Sequence, residues 1–150
     1  MNLVFREAEK ADIDTCTDII LSSEVWSPYS MDYEKAYNML SSTQDKLYVA
    51  EINGCIVGFV TLRANGIGNF GAFVRLLAVK DGFRGKGIGK QLVEFATKIA
   101  ANHDRNLFLL CSTKNSLGIS FYESSGFEKI GVLGDLFVDG HDEILFRKRI

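Results

Sequence analysis

Leu76-Leu77-Ala78-Val79-Lys80-Asp81-Gly82-Phe83-Arg84-Gly85-Lys86-Gly87-Ile88-Gly89-Lys90 is the stretch that decides the fold. Its first residues close an almost unbroken apolar run, Ala72 to Val79, which reads as a strand buried on both faces at the centre of a sheet. Its last residues open a periodic segment from Gly87 to about Asn102, where Ile88, Leu92, Phe95, Ala96 and Ile99 share one face of a helix. Between them lies a glycine-rich turn, so the N–H groups of the helix's first turn have no partner in the helix and no Cβ crowds them at 85, 87 and 89. Arg84 and Lys86 add positive charge. A helix N-terminus contributes about 0.3–2 kcal/mol to holding an anion, and each charge-assisted hydrogen bond about 1.5–3 kcal/mol. The expected occupant is the pyrophosphate of a nucleotide-type cofactor.

Upstream, Leu3 to Arg6 reads as a strand, and Asp12 to Leu21 as a helix with Ile13, Cys16, Ile19 and Ile20 at helical spacing. Ser22 to Ser30 breaks the pattern, after which Asp32 can cap a helix over Tyr33 to Leu40. Lys46 to Ile52 and Cys55 to Arg63 are β-rich runs joined by Asn53-Gly54, which suits a two-residue turn with positive φ at both positions. Ala64 to Gly71 reads as a glycine-rich loop. Downstream, Leu107 to Ser112 predicts another buried strand, and Asn115 or Ser116 can cap a short helix through Ser124 that Gly126 terminates. Two strands near Phe127 to Leu133 and Glu143 to Arg149 end the chain, with a tight turn at Asp139-Gly140-His141-Asp142 that leaves His141 exposed. The order β-α-α-β-β-β-α-β-α-β-β describes an α/β domain with a mixed sheet and helices on its faces.

The 150 residues, 47% hydrophobic and 24% charged with one proline, suit a single domain over 1–150. A net charge of -2 and no basic stripe argue against nucleic acid. No apolar run reaches the roughly 18 residues of a membrane span, and Met1 to Arg6 does not resemble a leader, so a cytoplasmic protein is expected. Cys16, Cys55 and Cys111 sit among apolar neighbours and read as buried thiols in a reducing compartment. They form no ligand spacing with His103 or His141, and no metal is expected.

Two familiar phosphate motifs fail on counting. GxGxxG from Gly85 would need glycine at Lys90, and a P-loop ending at Gly89-Lys90 would need glycine at Arg84 and Ser or Thr at Gln91. RxxGxG does fit, as Arg84, Gly87 and Gly89. It follows an apolar strand and precedes N-x6-Y-x3-GF, matched by Asn115, Tyr122, Gly126 and Phe127. In these residues, over roughly Ala72 to Ile130, the chain resembles the GNAT-type N-acetyltransferases.

The resemblance implies a mostly antiparallel central sheet whose middle strands, ending at Val79 and starting near Leu107, splay apart to admit acetyl-CoA. It implies that main-chain groups along Leu77, Ala78 and Val79 hold the pantetheine and the acetyl carbonyl. Arg84, Gly85, Lys86, Gly87, Ile88, Gly89 and Lys90 would hold the pyrophosphate, Asn115 the pantetheine arm, and Tyr122 would face the sulfur. The implied reaction is direct attack of a neutral primary amine on the thioester in a ternary complex. A phenol near pKa 10 protonating a thiolate near 8.5 is uphill by about 2 kcal/mol, so Tyr122 is expected to donate a hydrogen bond first. Many members carry a glutamate on the central strand; Ala72 to Val79 contains none. Glu24, Asp135 and Asp139 are the candidate bases, and a weak base favours less basic amines. Trp26, Tyr29 and Tyr33 are candidates for an aromatic wall beside the acceptor. The acceptor is expected to be a small-molecule amine; a peptide amine, or a non-catalytic acetyl-CoA sensor of the same fold, are the alternatives. Leu145 and Phe146 near a sheet edge are candidates for a homodimer contact.

Overall fold

The computed structural model describes residues 2–150. Along them run β1 (Leu3–Glu7), α1 (Ile13–Leu21), a 3-10 segment (Glu24–Tyr29), α2 (Tyr33–Leu40), β2 (Lys46–Ile52), β3 (Cys55–Ile67) and β4 (Gly71–Val79). The second half comprises α3 (Ile88–Ala100), β5 (Asn106–Ser112), α4 (Ser116–Ser124), β6 (Glu128–Val138) and β7 (His141–Arg149). The seven strands form one sheet in the order β1-β2-β3-β4-β5-β7-β6, antiparallel except where β4 meets β5. Local chemistry explains the joints. Asn53 and Gly54 take φ of 50° and 79° at the β2–β3 turn, the Asp32 carboxylate accepts from Lys35 N at 2.8 Å to cap α2, and Gly126 ends α4 at φ 93°.

One core lies under α3 and α4 and includes Val60, Ala72, Val74, Leu92, Leu109 and Phe146. The other lies under α1 and α2 and includes Cys16, Ile20, Leu40, Phe59, Leu76 and Ala78. Strand β4 serves both because it carries a bulge. Val60 opposes Leu77 and Leu62 opposes Val74, so Arg75 and Leu76 together face Thr61. The extra residue turns the strand over: Ala72 and Val74 pack toward α3, whereas Leu76 and Ala78 pack toward α1 and α2.

The same strand parts from β5. They pair only at Ala72–Leu107, Phe73–Phe108 and Val74–Leu109, while β5 stays paired to β7 along its whole length. At the closed end of this wedge the backbones nearly touch: a Cβ on Gly71 would lie 2.4 Å from the carbonyl oxygen of Asn106. From Arg75 onward the wedge is open.

Three sequence expectations are corrected here. Ala64 to Gly71 is mostly strand, not loop, because β3 keeps pairing with β4 as far as Ile67–Gly71 by absorbing extra residues in a bulge after Arg63, where Asn65 takes φ 51°. Cys55 is exposed; it starts β3 directly after the turn, whereas Cys16 and Cys111 are buried. Leu145 and Phe146 are not at an edge, since β7 lies between β5 and β6 and Phe146 is fully buried.

Candidate active site

Strand β4 stops pairing when Lys80 N bonds Val57 O at 2.8 Å, and a turn through Gly82 (φ 85°) leads to the loop before α3. Gly85 and Gly87 hold φ of 76° and 80°, and a Cβ on either would meet nothing within 4 Å, so this loop is shaped by conformation and faces open space. Gly87 is the N-cap of α3 and offers no side chain. The first helical bond from it is Gln91 N to Gly87 O, 3.1 Å, which leaves the N–H groups of Ile88, Gly89 and Lys90 without helical acceptors. Arg84 is positioned at this rim by Nε to Val79 O (3.2 Å), Nη2 to Ser23 Oγ (3.3 Å) and Nη1 to Asp81 Oδ1 (3.3 Å).

The rim leads into a cleft of about 1860 Å³ that fills the β4–β5 wedge. Pockets for a single small ligand are commonly about 300–1,000 Å³, so this one has room for two reactants. Leu77, Ala78 and Val79 line it, as do Arg84, Gly85, Gly87, Ile88, Gly89 and Lys90, while α4 contributes Tyr122 and its cap Asn115. Lys86 is not part of the lining and sits with Nζ 5.4 Å from the centre of the Phe83 ring. Because Lys80 N points to β3, the alternation of a strand directs the main-chain polar groups of Val79 and Leu77 the other way, into the wedge. Asn115 Oδ1 caps α4 by accepting from Gly118 N at 3.0 Å.

Tyr122 is wedged among Phe121, Phe127 and Phe146, with ring centres 5.1, 5.8 and 6.0 Å away. Burial, and then the neighbouring Cys111, push its phenol above the usual range. It therefore stays protonated at neutral pH and keeps a proton to donate. Cys111 also lines the cleft, and burial followed by the charge of Glu143 pushes its thiol up to about 11. A thiol held protonated is a poor nucleophile.

The far end of the cleft is aromatic. Trp26 and Tyr29 come from the 3-10 segment and Phe137 from β6; Tyr29 meets Phe137 edge-on at 6.3 Å and His141 edge-on at 5.5 Å. Tyr33, by contrast, is exposed and bonds Asp14 away from the cleft lining. None of the proposed bases lines the cleft: Glu24 is exposed on the 3-10 segment, Asp139 is exposed at the β6–β7 turn, and Asp135 accepts from Gly140 N at 2.6 Å to shape that turn. His141 is buried rather than exposed, because the turn is only Asp139-Gly140 and His141 already pairs with Val138; its Nε2 lies 2.8 Å from Ser112 Oγ.

Sequence reasoning missed Glu143. It lies on β7 opposite Ser112, is 3% exposed, lines the cleft, and accepts from the Tyr29 hydroxyl at 2.8 Å through Oε2. Burial raises its pKa, opposed by the Tyr29 hydrogen bond and by His141. The available signal was His141 and Glu143 two residues apart on the face opposite the core residues Ile144 and Phe146. Among the described residues no group of three or more His, Cys, Asp or Glu is placed to hold a metal, and no helix is long and apolar enough to cross a membrane.

Comparison with known proteins gives one consistent result. The family model described as the acetyltransferase (GNAT) family matches residues 9–127. An uncharacterized N-acetyltransferase of Methanocaldococcus jannaschii is 33% identical over 96 residues, covering 61% of this chain and 42% of that protein. N-alpha-acetyltransferase 30 of Saccharomyces cerevisiae is 30% identical over 118 residues, covering 72% of this chain and 65% of that protein. The chain thus spans less than two thirds of the length of these relatives. Among solved structures, an aminoglycoside 6'-N-acetyltransferase complexed with coenzyme A superimposes with a TM-score of 0.79 at 17% identity, covering 97% of this chain and 96% of that one. At that identity the likeness concerns the fold.

Proposed function

Because this chain belongs to the acetyltransferase (GNAT) family, we propose that it transfers the acetyl group of acetyl-CoA to a primary amine by direct attack within a ternary complex. The observation that carries this reading is the wedge between β4 and β5, with unbonded helix N–H groups at its rim and Tyr122 in its wall. The N–H groups of Ile88, Gly89 and Lys90, with Arg84, take the pyrophosphate. Main-chain groups of Leu77 and Val79 take the pantetheine and polarise the acetyl carbonyl. Tyr122 donates a hydrogen bond to the leaving sulfur, which its raised pKa favours over full proton transfer before the C–S bond has lengthened. The protonated thiol of Cys111 supports direct transfer over an acetylated enzyme.

A small-molecule acceptor is supported by the aromatic wall that Trp26, Tyr29 and Phe137 form at the far end of the cleft, a surface suited to a compact apolar body. A second reading, transfer to a peptide amine, is favoured by the likeness to the yeast N-alpha-acetyltransferase. Following thiol release from acetyl-CoA with a panel of small amines and short peptides tests both. Thiol release that depends on one class assigns the acceptor, and binding of acetyl-CoA without thiol release for any member would favour a non-catalytic sensor.

A further inference from the structure

Glu143 is a buried carboxylate on the cleft wall. Its Oε2 accepts from Tyr29, but among the described residues nothing donates to Oε1 and no Lys or Arg pairs with it. The titratable groups that face it are Tyr29 from the 3-10 segment, Cys111 from β5 and His141 from its own strand. Two of these are neutral at pH 7, and the third has its Nε2 engaged by Ser112 Oγ. Two cations that line the cleft do not pair with Glu143: Lys35 Nζ donates to the main-chain oxygen of Tyr29, and Arg75 lies 3.6 Å from Asp45. With Oε2 bonded and Oε1 not among the fully buried unpaired atoms, the Glu143 carboxylate is open to a donor that arrives through the cleft. Here it borders a cleft whose walls at this end include Trp26, Tyr29 and Phe137, aromatic surfaces that attract an ammonium group on an apolar body.

We infer that Glu143, held by Tyr29, is the binding site and proton acceptor for the acceptor's ammonium group, and that the site selects an amine on an apolar or aromatic body with no carboxylate on the adjacent carbon. This rests on the acetyl-transfer reading above and names the acceptor's chemistry. The ammonium gives one proton to Glu143, which passes it to solvent. The freed nitrogen lone pair forms the C–N bond to the acetyl carbon, and the C–S bond breaks with its electron pair going to sulfur. The thiolate takes the Tyr122 proton, and the second proton leaving the new amide nitrogen restores the phenol. An α-amino acid is disfavoured because its carboxylate would lie beside Glu143, while Lys35 and Arg75, which also line the cleft, are held by Tyr29 O and Asp45.

The test uses 2-phenylethylamine, phenylalanine amide and phenylalanine, titrated into CoA-loaded protein by calorimetry. The expected result is that Glu143→Gln weakens 2-phenylethylamine by about tenfold or more with CoA affinity unchanged, and that phenylalanine binds at least about tenfold more weakly than its amide to the wild type. Tyr29→Phe keeps the aromatic wall but removes the donor that favours the carboxylate, so the acidic limb of the acetylation rate moves to higher pH. Equal amine binding by wild type and Glu143→Gln, or equal binding of phenylalanine and its amide, would overturn the assignment. If Glu143→Gln does not fold, an unmoved acidic limb in Tyr29→Phe overturns it. Failure of the wild type to bind CoA at all strikes the acetyl-transfer reading itself and removes both.

Discussion

The main-chain N–H of Leu76 donates to Thr61 Oγ1 at 2.9 Å, in the interior of the sheet where a carbonyl of β3 would otherwise stand. This bond satisfies the group that the β4 bulge would leave orphaned, and the bulge is what turns Leu76 and Ala78 toward α1 and α2 and frees the edge of β4 from β5. The cleft thus depends on a threonine that does not line it.

Thr61→Val keeps the shape of that side chain and removes the acceptor. Leaving a buried N–H unsatisfied costs about 1–3 kcal/mol, and urea denaturation should show a loss of that size together with weaker acetyl-CoA binding. A variant as stable as the wild type would mean that the bulge is held by the packing of Leu76 alone.

Gly87 has φ 80° with nothing near its missing Cβ. Gly87→Ala therefore meets only the conformational penalty of the left-handed region, about 1–2 kcal/mol. Either stability falls by that amount or the loop relaxes and acetyl-CoA affinity falls by about 5–30-fold; denaturation and titration of the same variant separate the two.

Tyr122→Phe keeps the aromatic packing against Phe127 and Phe146 and removes one hydroxyl. Turnover should fall by about a hundredfold or more while acetyl-CoA affinity stays the same, read from steady-state kinetics beside calorimetry. Unchanged turnover would remove Tyr122 from the reaction.

Two carboxyls should make stability depend on pH in opposite senses. The Asp12 carboxyl is held below its usual range by the Arg6 side chain, at 2.7 Å and 3.1 Å, so its contribution is present at neutral pH and is lost as pH falls through its folded value. Glu143 is raised by burial, so its carboxylate lowers stability above its folded value and the effect disappears as pH falls below the unfolded value. In denaturation at a series of pH values, Asp12→Asn should be less stable than wild type at pH 7 with the gap closing in acid. Glu143→Gln should be at least as stable as wild type at pH 7, also converging in acid.

Much of this was legible in sequence where one residue's chemistry fixes a local conformation. Asn53-Gly54 gave the hairpin, Asp32 and Asn115 the helix caps, and Arg84, Gly87 and Gly89 the loop before α3. What failed depended on partners far along the chain. Ala64 to Gly71 looks like a loop by composition, yet β4 holds most of it in the sheet. His141 and Glu143 look like solvated turn and strand-end residues, but Tyr29, more than a hundred positions earlier in the chain, covers them. No local pattern reports a contact of that separation. Glu24, Asp135 and Asp139 are all exposed, and nothing local distinguishes the buried Glu143 from them.

The most direct test of the central claim is calorimetric titration of acetyl-CoA into the wild type and into Arg84→Glu. Micromolar binding by the wild type, weakened by about a hundredfold or more in the variant, is expected, since one charge-assisted contact to the pyrophosphate becomes a repulsion. Absence of binding by the wild type, or equal binding by both proteins, would contradict the assignment of the loop before α3 as the cofactor's pyrophosphate site.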